Sequence, residues 1–243
     1  MLFHAEKNQT SYGEAIGILL LDSGAPFIQG DVGNATTYDF PVRFKRIDGL
    51  TVARIFAHDQ SFIQKMVEGA RELEREGVKA ITGDCGFMAI YQHEVKKSVG
   101  IPVLLSSLLQ IPFIKATLPK GAKIGVLTAN SSALTPEVFE PLGIDCQDSL
   151  VILGLEDCEN FRAAAIVETG ELDSDKIRAE MVKRAKELVS QNQGVRSILL
   201  ECSMMPPYAA DVQRATNLPV YDFITMINHA YSAVKTKRYA DTM

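Results

Sequence analysis

The sequence predicts an α/β protein of two pseudo-two-fold-related lobes, each a mostly parallel sheet flanked by helices, with the working site in the cleft between them. Three observations carry that prediction. Short apolar runs of strand length alternate with longer stretches of helix-forming residues. Two segments of the first half recur in the second half. Finally, a chain of 243 residues makes one large domain or two small lobes, at roughly 100–200 residues per domain.

In chain order, Ile16 to Leu21 is an apolar run bounded by Asp22-Ser23, as a buried strand requires. Gly24 to Arg43 is polar and aromatic, with Gly30, Gly33 and Pro41, and reads equally as a rim or lid over the cleft and as a surface loop. Ser61 to Glu76 places apolar residues at helical spacing among helix formers, and Gly77 stops it. Val78 to Cys85 is the next strand, a helix starts near Phe87, and Ile101 to Ser107 closes the unit with a short strand. The second half repeats the plan. Ile124 to Leu127 is a strand, Ser174 to Gln191 a helix stopped by Gly194, and Val195 to Cys202 a strand. A helix then begins at Pro206-Pro207, where the missing proline N–H has no helical partner to lose. Leu218 to Ile224 is the last strand. Residues 1–107 with 221–243 are expected to form the N-terminal lobe, and 108–220 the C-terminal lobe.

The repeat is visible residue by residue. IGILLLDSGA from Ile16 matches IGVLTANSSA from Ile124 at an offset of 108. VKAITGDC, ending at Cys85, matches VRSILLEC, ending at Cys202, at an offset of 117, with Asp84 opposite Glu201. Tyr91 and Tyr208, Val95 and Val212, and Pro102 and Pro219 keep that offset.

Composition excludes several functions. The net charge of −5 and the lack of a basic run argue against nucleic acid. Ala15 to Leu21 is too short to span a bilayer, and residues 1–14 hold no signal-peptide core, so no membrane role and a cytoplasmic, reducing setting are expected. Four cysteines without a CxxC pair supply neither a disulfide framework nor a zinc site. No P-loop, GxGxxG or pyridoxal signature is present, so no metal and no organic cofactor are expected.

The repeat separates the cysteines. Cys85 and Cys202 end equivalent strands just before helix starts, and ligands of open α/β sheets bind at such strand ends. Free N–H groups and the helix dipole there are expected to lower a thiol from its usual ~8.5 and to hold a carboxylate. Two such thiols across a cleft suit proton abstraction next to a carboxylate, with the proton returned on the opposite face. Strand alternation points Asp84 and Glu201 away from the thiols, into turn or capping roles. Cys146 and Cys158 have no equivalents and read as packing or loop thiols. His93 lies about two helical turns beyond Cys85 and reads as a solvated helix face, and His4, His58 and His229 show no partner spacing. A cysteine hydrolase using Cys85 with His93 would leave Cys202 without a task, and a two-lobed binding protein would need neither cysteine.

These paired strand-end cysteines resemble those of the aspartate/glutamate racemase superfamily, a likeness running from Ile16 to about Tyr231 and placing its catalytic cysteines at Cys85 and Cys202. Narrower motifs are similar to the Alma group of dimethylsulfoniopropionate lyases. They are ITGDCGFM over residues 81–88, Glu201-Cys202 with Pro206-Pro207-Tyr208, Ser106-Ser107-Leu108, Thr128-Ala129-Asn130 and Gly30-Asp31. Gly86-Phe87 and Ser203-Met204 stand where amino-acid racemases carry Asn-Thr and Thr-His. The resemblance implies a cofactor-independent racemase or epimerase of a small amino-acid or related carboxylate. The alternative is β-elimination of dimethylsulfoniopropionate to dimethyl sulfide and acrylate by the same cysteines. For substrate binding it points to Asp22, Ser23, Thr128, Asn130 and Ser131 at the first-strand ends, and to Gly86, Phe87, Ser203 and Met204 after the cysteines. Tyr91 and Tyr208, with Tyr38 and Phe40, are aromatic candidates to face a sulfonium. The expected partner is a small carboxylate substrate. Homo-oligomers are common in the superfamily, and no exposed apolar pattern specifies one here.

Overall fold

A computed structural model describes residues 1–5, 7, 9–145 and 149–240. Its first half contains β1 (Ile16–Leu20), β2 (Val42–Arg46), α1 (Val52–Phe56), α2 (Ile63–Arg75), β3 (Ala80–Gly83), α3 (Gln92–Ser98), β4 (Val103–Leu104) and α4 (Ile111–Thr117). The second half contains β5 (Lys123–Thr128), α5 (Pro136–Phe139), β6 (Leu150–Gly154), α6 (Glu159–Ala165), α7 (Ser174–Gln191), β7 (Val195–Leu200), α8 (Ala209–Thr216), β8 (Val220–Tyr221) and α9 (Phe223–Val234).

The strands form two four-stranded sheets, ordered β2-β1-β3-β4 and β6-β5-β7-β8, and every described pairing is parallel. The second order is the first shifted by four strands, so the repeat in the sequence is a repeat of topology. The central strands β1, β3, β5 and β7 are mostly apolar and buried, apart from Lys123 and Arg196 near the starts of β5 and β7, because both faces are covered. The helices after β4 and β8 pack on the opposite sheet. Ile111 and Ile114 of α4 join the core with Ile124 and Val126 of β5. Phe223, Met226 and Ile227 of α9 cover Ile16, Ile18 and Ala80 of the first sheet. Each half therefore completes the core of the other.

Gly17 and Gly125 are repeat equivalents with one packing purpose. A Cβ on Gly17 would lie 2.9 Å from Leu73 Cδ1 of α2, and one on Gly125 would collide with Leu188 of α7. The helix that precedes each cysteine-bearing strand thus lies directly on the first strand of its lobe.

Three local expectations change. The edge strands β2 and β6 carry no clear signal: VRFKR alternates with basic residues, as a protected edge does. Gly194 does not stop α7, whose C-cap is Asn192, donating to Val189 O. The helices after the cysteines open as 3-10 turns, Gly86–Tyr91 and Pro206–Tyr208, before α3 and α8 begin. Among the described residues no helix is long and apolar enough to cross a membrane.

Candidate active site

Both cysteine-bearing strands stop two residues short of their thiol, β3 at Gly83 and β7 at Leu200. The backbone then turns toward the first strand of its own lobe: Asp84 N–H donates to Leu19 O at 3.1 Å and Glu201 N–H to Leu127 O at 2.8 Å. The two acids follow the same plan. Leu21 N–H donates to both oxygens of Asp84, at 3.0 and 3.1 Å. Its equivalent, Ala129 N–H, donates to Glu201 Oε2 at 3.3 Å, joined there by Thr128 Oγ1 at 2.8 Å.

Cys85, Cys202, Asp84 and Glu201 all line one cavity between the sheets, with Ser23, Ser203, Met204, Phe27, Phe56 and Phe87 among its other walls. Both acids cap backbone N–H groups, as predicted, but they also line the cavity instead of pointing away from the thiols. Alternation holds only inside a strand, and both acids lie beyond theirs. The cavity is partly open to solvent and has about 30 Å³ of room, space for one or two waters. From the cavity wall the Ser23 hydroxyl donates to Glu168, whose Oε1 also takes Gly24 N–H at 3.1 Å. Glu168 holds this contact from a left-handed backbone, φ 56°, a conformation that costs a non-glycine residue energy.

The electrostatics reverse another expectation. Burial pushes both thiols well above the ordinary cysteine range. The charges of Glu201, the opposite thiol and Asp84 add to the shift at Cys85, and the Phe87 N–H only partly offsets it. A single helix-end N–H is outweighed by desolvation and by neighbouring acids. Burial also lifts Asp84 and Glu201 to about 7. No Lys, Arg or His is among the described residues that line the cavity.

Of the predicted residues, Cys85, Cys202, Ser23, Phe87, Ser203 and Met204 meet at the cavity. The others are committed elsewhere. Asp22 Oδ2 accepts from Gly49 N–H at 2.8 Å. Thr128 holds Glu201. Asn130 Oδ1 accepts from Ser132 and Ala133 N–H, and Ser131 binds Glu156 through its N–H and hydroxyl. Tyr91 donates to Asp59 O at 2.6 Å, and Tyr208 is buried in the core of the second lobe. Gly86 touches the site through its bareness: a Cβ there would collide with Glu201 Oε1. Tyr38 donates to Val32 O and Phe40 stacks on Tyr231, both away from the cavity. The aromatic wall is instead Phe27, Phe56 and Phe87, the last two edge to face at 4.9 Å. Phe27 stands in the segment predicted as a rim, whereas Phe56 carried no signal in the sequence. Cys158 accepts from Arg184 Nε at 3.3 Å and is pushed up to about 11 by burial, in keeping with a packing role. Cys146 lies outside the described residues. His93 is half exposed on α3, in an outer groove.

Residues 45–228 match the family described as Asp/Glu/Hydantoin racemase. The chain belongs to that family. It is 33% identical over 217 residues to a dimethylsulfoniopropionate lyase of Durusdinium sp. clade D, covering 86% of this chain and 71% of that one. Dimethylsulfoniopropionate lyase 3 of Emiliania huxleyi is 32% identical over 224 residues, and this chain, 88% covered, spans 58% of that relative's length. Among solved structures, unliganded arylmalonate decarboxylase matches with a TM-score of 0.61 at 15% identity, covering 95% of this chain and 96% of the other. Picrophilus torridus aspartate racemase matches with a TM-score of 0.56 at 18% identity, covering 94% and 96%. These structures establish the shared two-lobed fold. With the family and its relatives, the chain is an enzyme of the isomerase or lyase type.

Proposed function

We propose that this enzyme is a cysteine-dependent β-eliminating lyase for a small sulfonium carboxylate of the dimethylsulfoniopropionate kind. The observation that carries the reading is the cavity wall: two thiols, two acids and three phenyl rings, with no cationic side chain among the described lining residues. Such a wall suits the sulfonium end of that substrate, whose positive charge is met by aromatic faces and carboxylates. The relatives named as dimethylsulfoniopropionate lyases support the substrate class. A thiolate takes the proton from the carbon next to the carboxylate. Those C–H electrons form the new C=C bond, the C–S bond breaks, and dimethyl sulfide leaves with its electron pair. Acrylate remains, and the proton passes from the thiol to water.

A second reading is racemisation of a carboxylate, favoured by the placement of one thiol on each pseudo-equivalent strand end, since a two-base inversion needs both. One assay separates the two. The enzyme is incubated in deuterated water with dimethylsulfoniopropionate and, separately, with small amino-acid carboxylates, following dimethyl sulfide in the headspace and the α-proton by NMR. The lyase reading expects sulfide release that falls by about 10²-fold or more in Cys85→Ala. Deuterium exchange with inversion and no sulfide would transfer the enzyme to the racemases. Unchanged turnover in both Cys85→Ala and Cys202→Ala would sink both readings.

A further inference from the structure

Glu201 differs from every other acid at the cavity in one respect. It is fully buried, and its Oε1 has no hydrogen-bond partner among the described residues. Its other oxygen is held by Thr128 and Ala129, which fixes the direction of the free one. That direction is across the lobes, onto the backbone next to Cys85. A Cβ built on Gly86 would collide with Oε1 and would lie 2.6 Å from Glu201 Cδ and 2.6 Å from its carbonyl oxygen. The repeat equivalent, Asp84, differs, because Leu21 N–H bonds both of its oxygens. The symmetry of the fold is thus broken at one atom, a buried acceptor left open beside one of the two cysteines.

We propose that Glu201 is the proton acceptor that turns Cys85 from thiol to thiolate. This rests on Cys85 acting as the base of the proposed reaction. Cys85 and Glu201 share the cavity wall without a direct hydrogen bond, so the Cys85 S–H proton passes to a water in the cavity, that water gives one of its own protons to Glu201 Oε1, and the electron pair stays on sulfur. The thiolate then takes the substrate's α-proton and is again a thiol. Glu201 releases its own proton to water as product leaves, so one elimination yields one proton. The exchange moves a single negative charge within the pair instead of adding a second to a buried site, which is why a thiol held up by its neighbours can still react.

The groups facing this pair are all acidic. Asp84 and Cys202 share the cavity wall. Asp31, from the β1–β2 connection, acts on Cys202, and Glu168, from the α6–α7 connection, acts on Asp84. A sulfonium entering the cavity favours the charged form of every one of them. Glu201 itself lies at about 7, so it can cycle at neutral pH.

The test needs no substrate. The rate of Cys85 alkylation by iodoacetamide is followed against pH by peptide mass spectrometry, with an ultraviolet thiolate titration as a reading that requires no reagent to enter the cavity. The wild-type profile should rise in two steps, the first near neutrality as Glu201 ionises. Glu201→Gln, confirmed as folded by circular dichroism, should lose the first step and keep the upper one. Glu201→Asp, which keeps the charge but retracts it from Gly86, should retain the step with smaller amplitude, and it carries the test if the Gln variant does not fold. A Gln profile identical to wild type, or an Asp variant with undiminished amplitude, would overturn the proposal. In turnover, Glu201→Gln should lower kcat by about 10²-fold with little change in KM. Failure of the wild-type enzyme to release dimethyl sulfide would instead remove the lyase reading and leave the two-step titration standing.

Discussion

At the scale of single residues, the repeat makes the two cysteines and the paired acids beside them legible, but not that the acids share the thiols' cavity. A cysteine at a strand end is ordinary, but Cys85 and Cys202 share one offset with a tyrosine, a valine and a proline. Asp84 and Glu201 share it too, yet strand alternation sent them the wrong way, because β3 and β7 end before reaching them. The direction of the thiol shift is hidden from the sequence for a related reason. The sequence shows where a helix begins, but not how deeply the cavity is buried or that two acids from different lobes converge there. Thr128, Asn130 and Ser131 stand at a strand end as expected, but the Thr128 hydroxyl, Asn130 Oδ1 and the Ser131 hydroxyl are already taken by Glu201, by local N–H groups and by Glu156. Gly86 yields a direct prediction. Gly86→Ala forces the Glu201 carboxyl aside, since the obstacle includes the Glu201 backbone as well as its side chain. The variant should lose stability by about 1–3 kcal/mol, read by urea denaturation. It should also lose most of its turnover. Wild-type stability would show that the loop relaxes freely.

At the scale of elements, the longest helix is legible in the sequence, whereas α1, α4, α5, α6, α9 and the sheet edges are not. Ser174 to Gln191 is α7 residue for residue, because a long amphipathic segment with Asp173 as N-cap leaves little choice. β2 and β6 escaped because an edge strand is short, half exposed and stabilised by its neighbour more than by its own pattern. The crossing of α4 and α9 to the opposite sheets is not local information at all. It makes the start of α9 a joint between lobes. Asp222 caps that helix, accepting Thr225 N–H at 2.7 Å while its own N–H donates to Thr225 Oγ1 at 2.9 Å. Asp222 O also accepts from Gln110 at 2.9 Å, which ties the cap to the end of the first half. Asp222→Ala should cost about 1 kcal/mol from the lost cap, with an unchanged denaturant slope if the lobes still unfold together. A loss below a few tenths of a kcal/mol would mean that packing on the first sheet alone holds α9 in place.

At the scale of the whole molecule, the cavity gathers acids that folding raises, and this sets how stability depends on pH. Asp84 and Glu201 stand at about 7 in the folded protein, against about 3.9 and 4.3 for free carboxyls. Burial also raises Asp31 and Asp222. A carboxyl raised by folding binds more protons in the folded state than in the unfolded one between those two values, so stability falls as pH rises through that window. The lowered acids, Glu14, Asp59 and Asp173, stabilise above their unfolded values and lose that contribution only as pH drops toward 4 and below, so they do not oppose the trend at neutrality. Each of the two cavity acids could contribute on the order of 2–4 kcal/mol across the window as an upper bound, reduced by water entry and by coupling between the acids. Thermal unfolding should therefore give a higher Tm near about pH 5.5 than near about pH 7.5, the reverse of a protein stabilised by carboxylate salt bridges. Glu201→Gln, neutral at every pH, should flatten part of that slope while leaving the remainder to Asp84 and Asp31. A Tm that is flat across the window, or that climbs with pH, would mean that these carboxyls stay ionised in the folded protein and that the cavity is wetter than its volume implies.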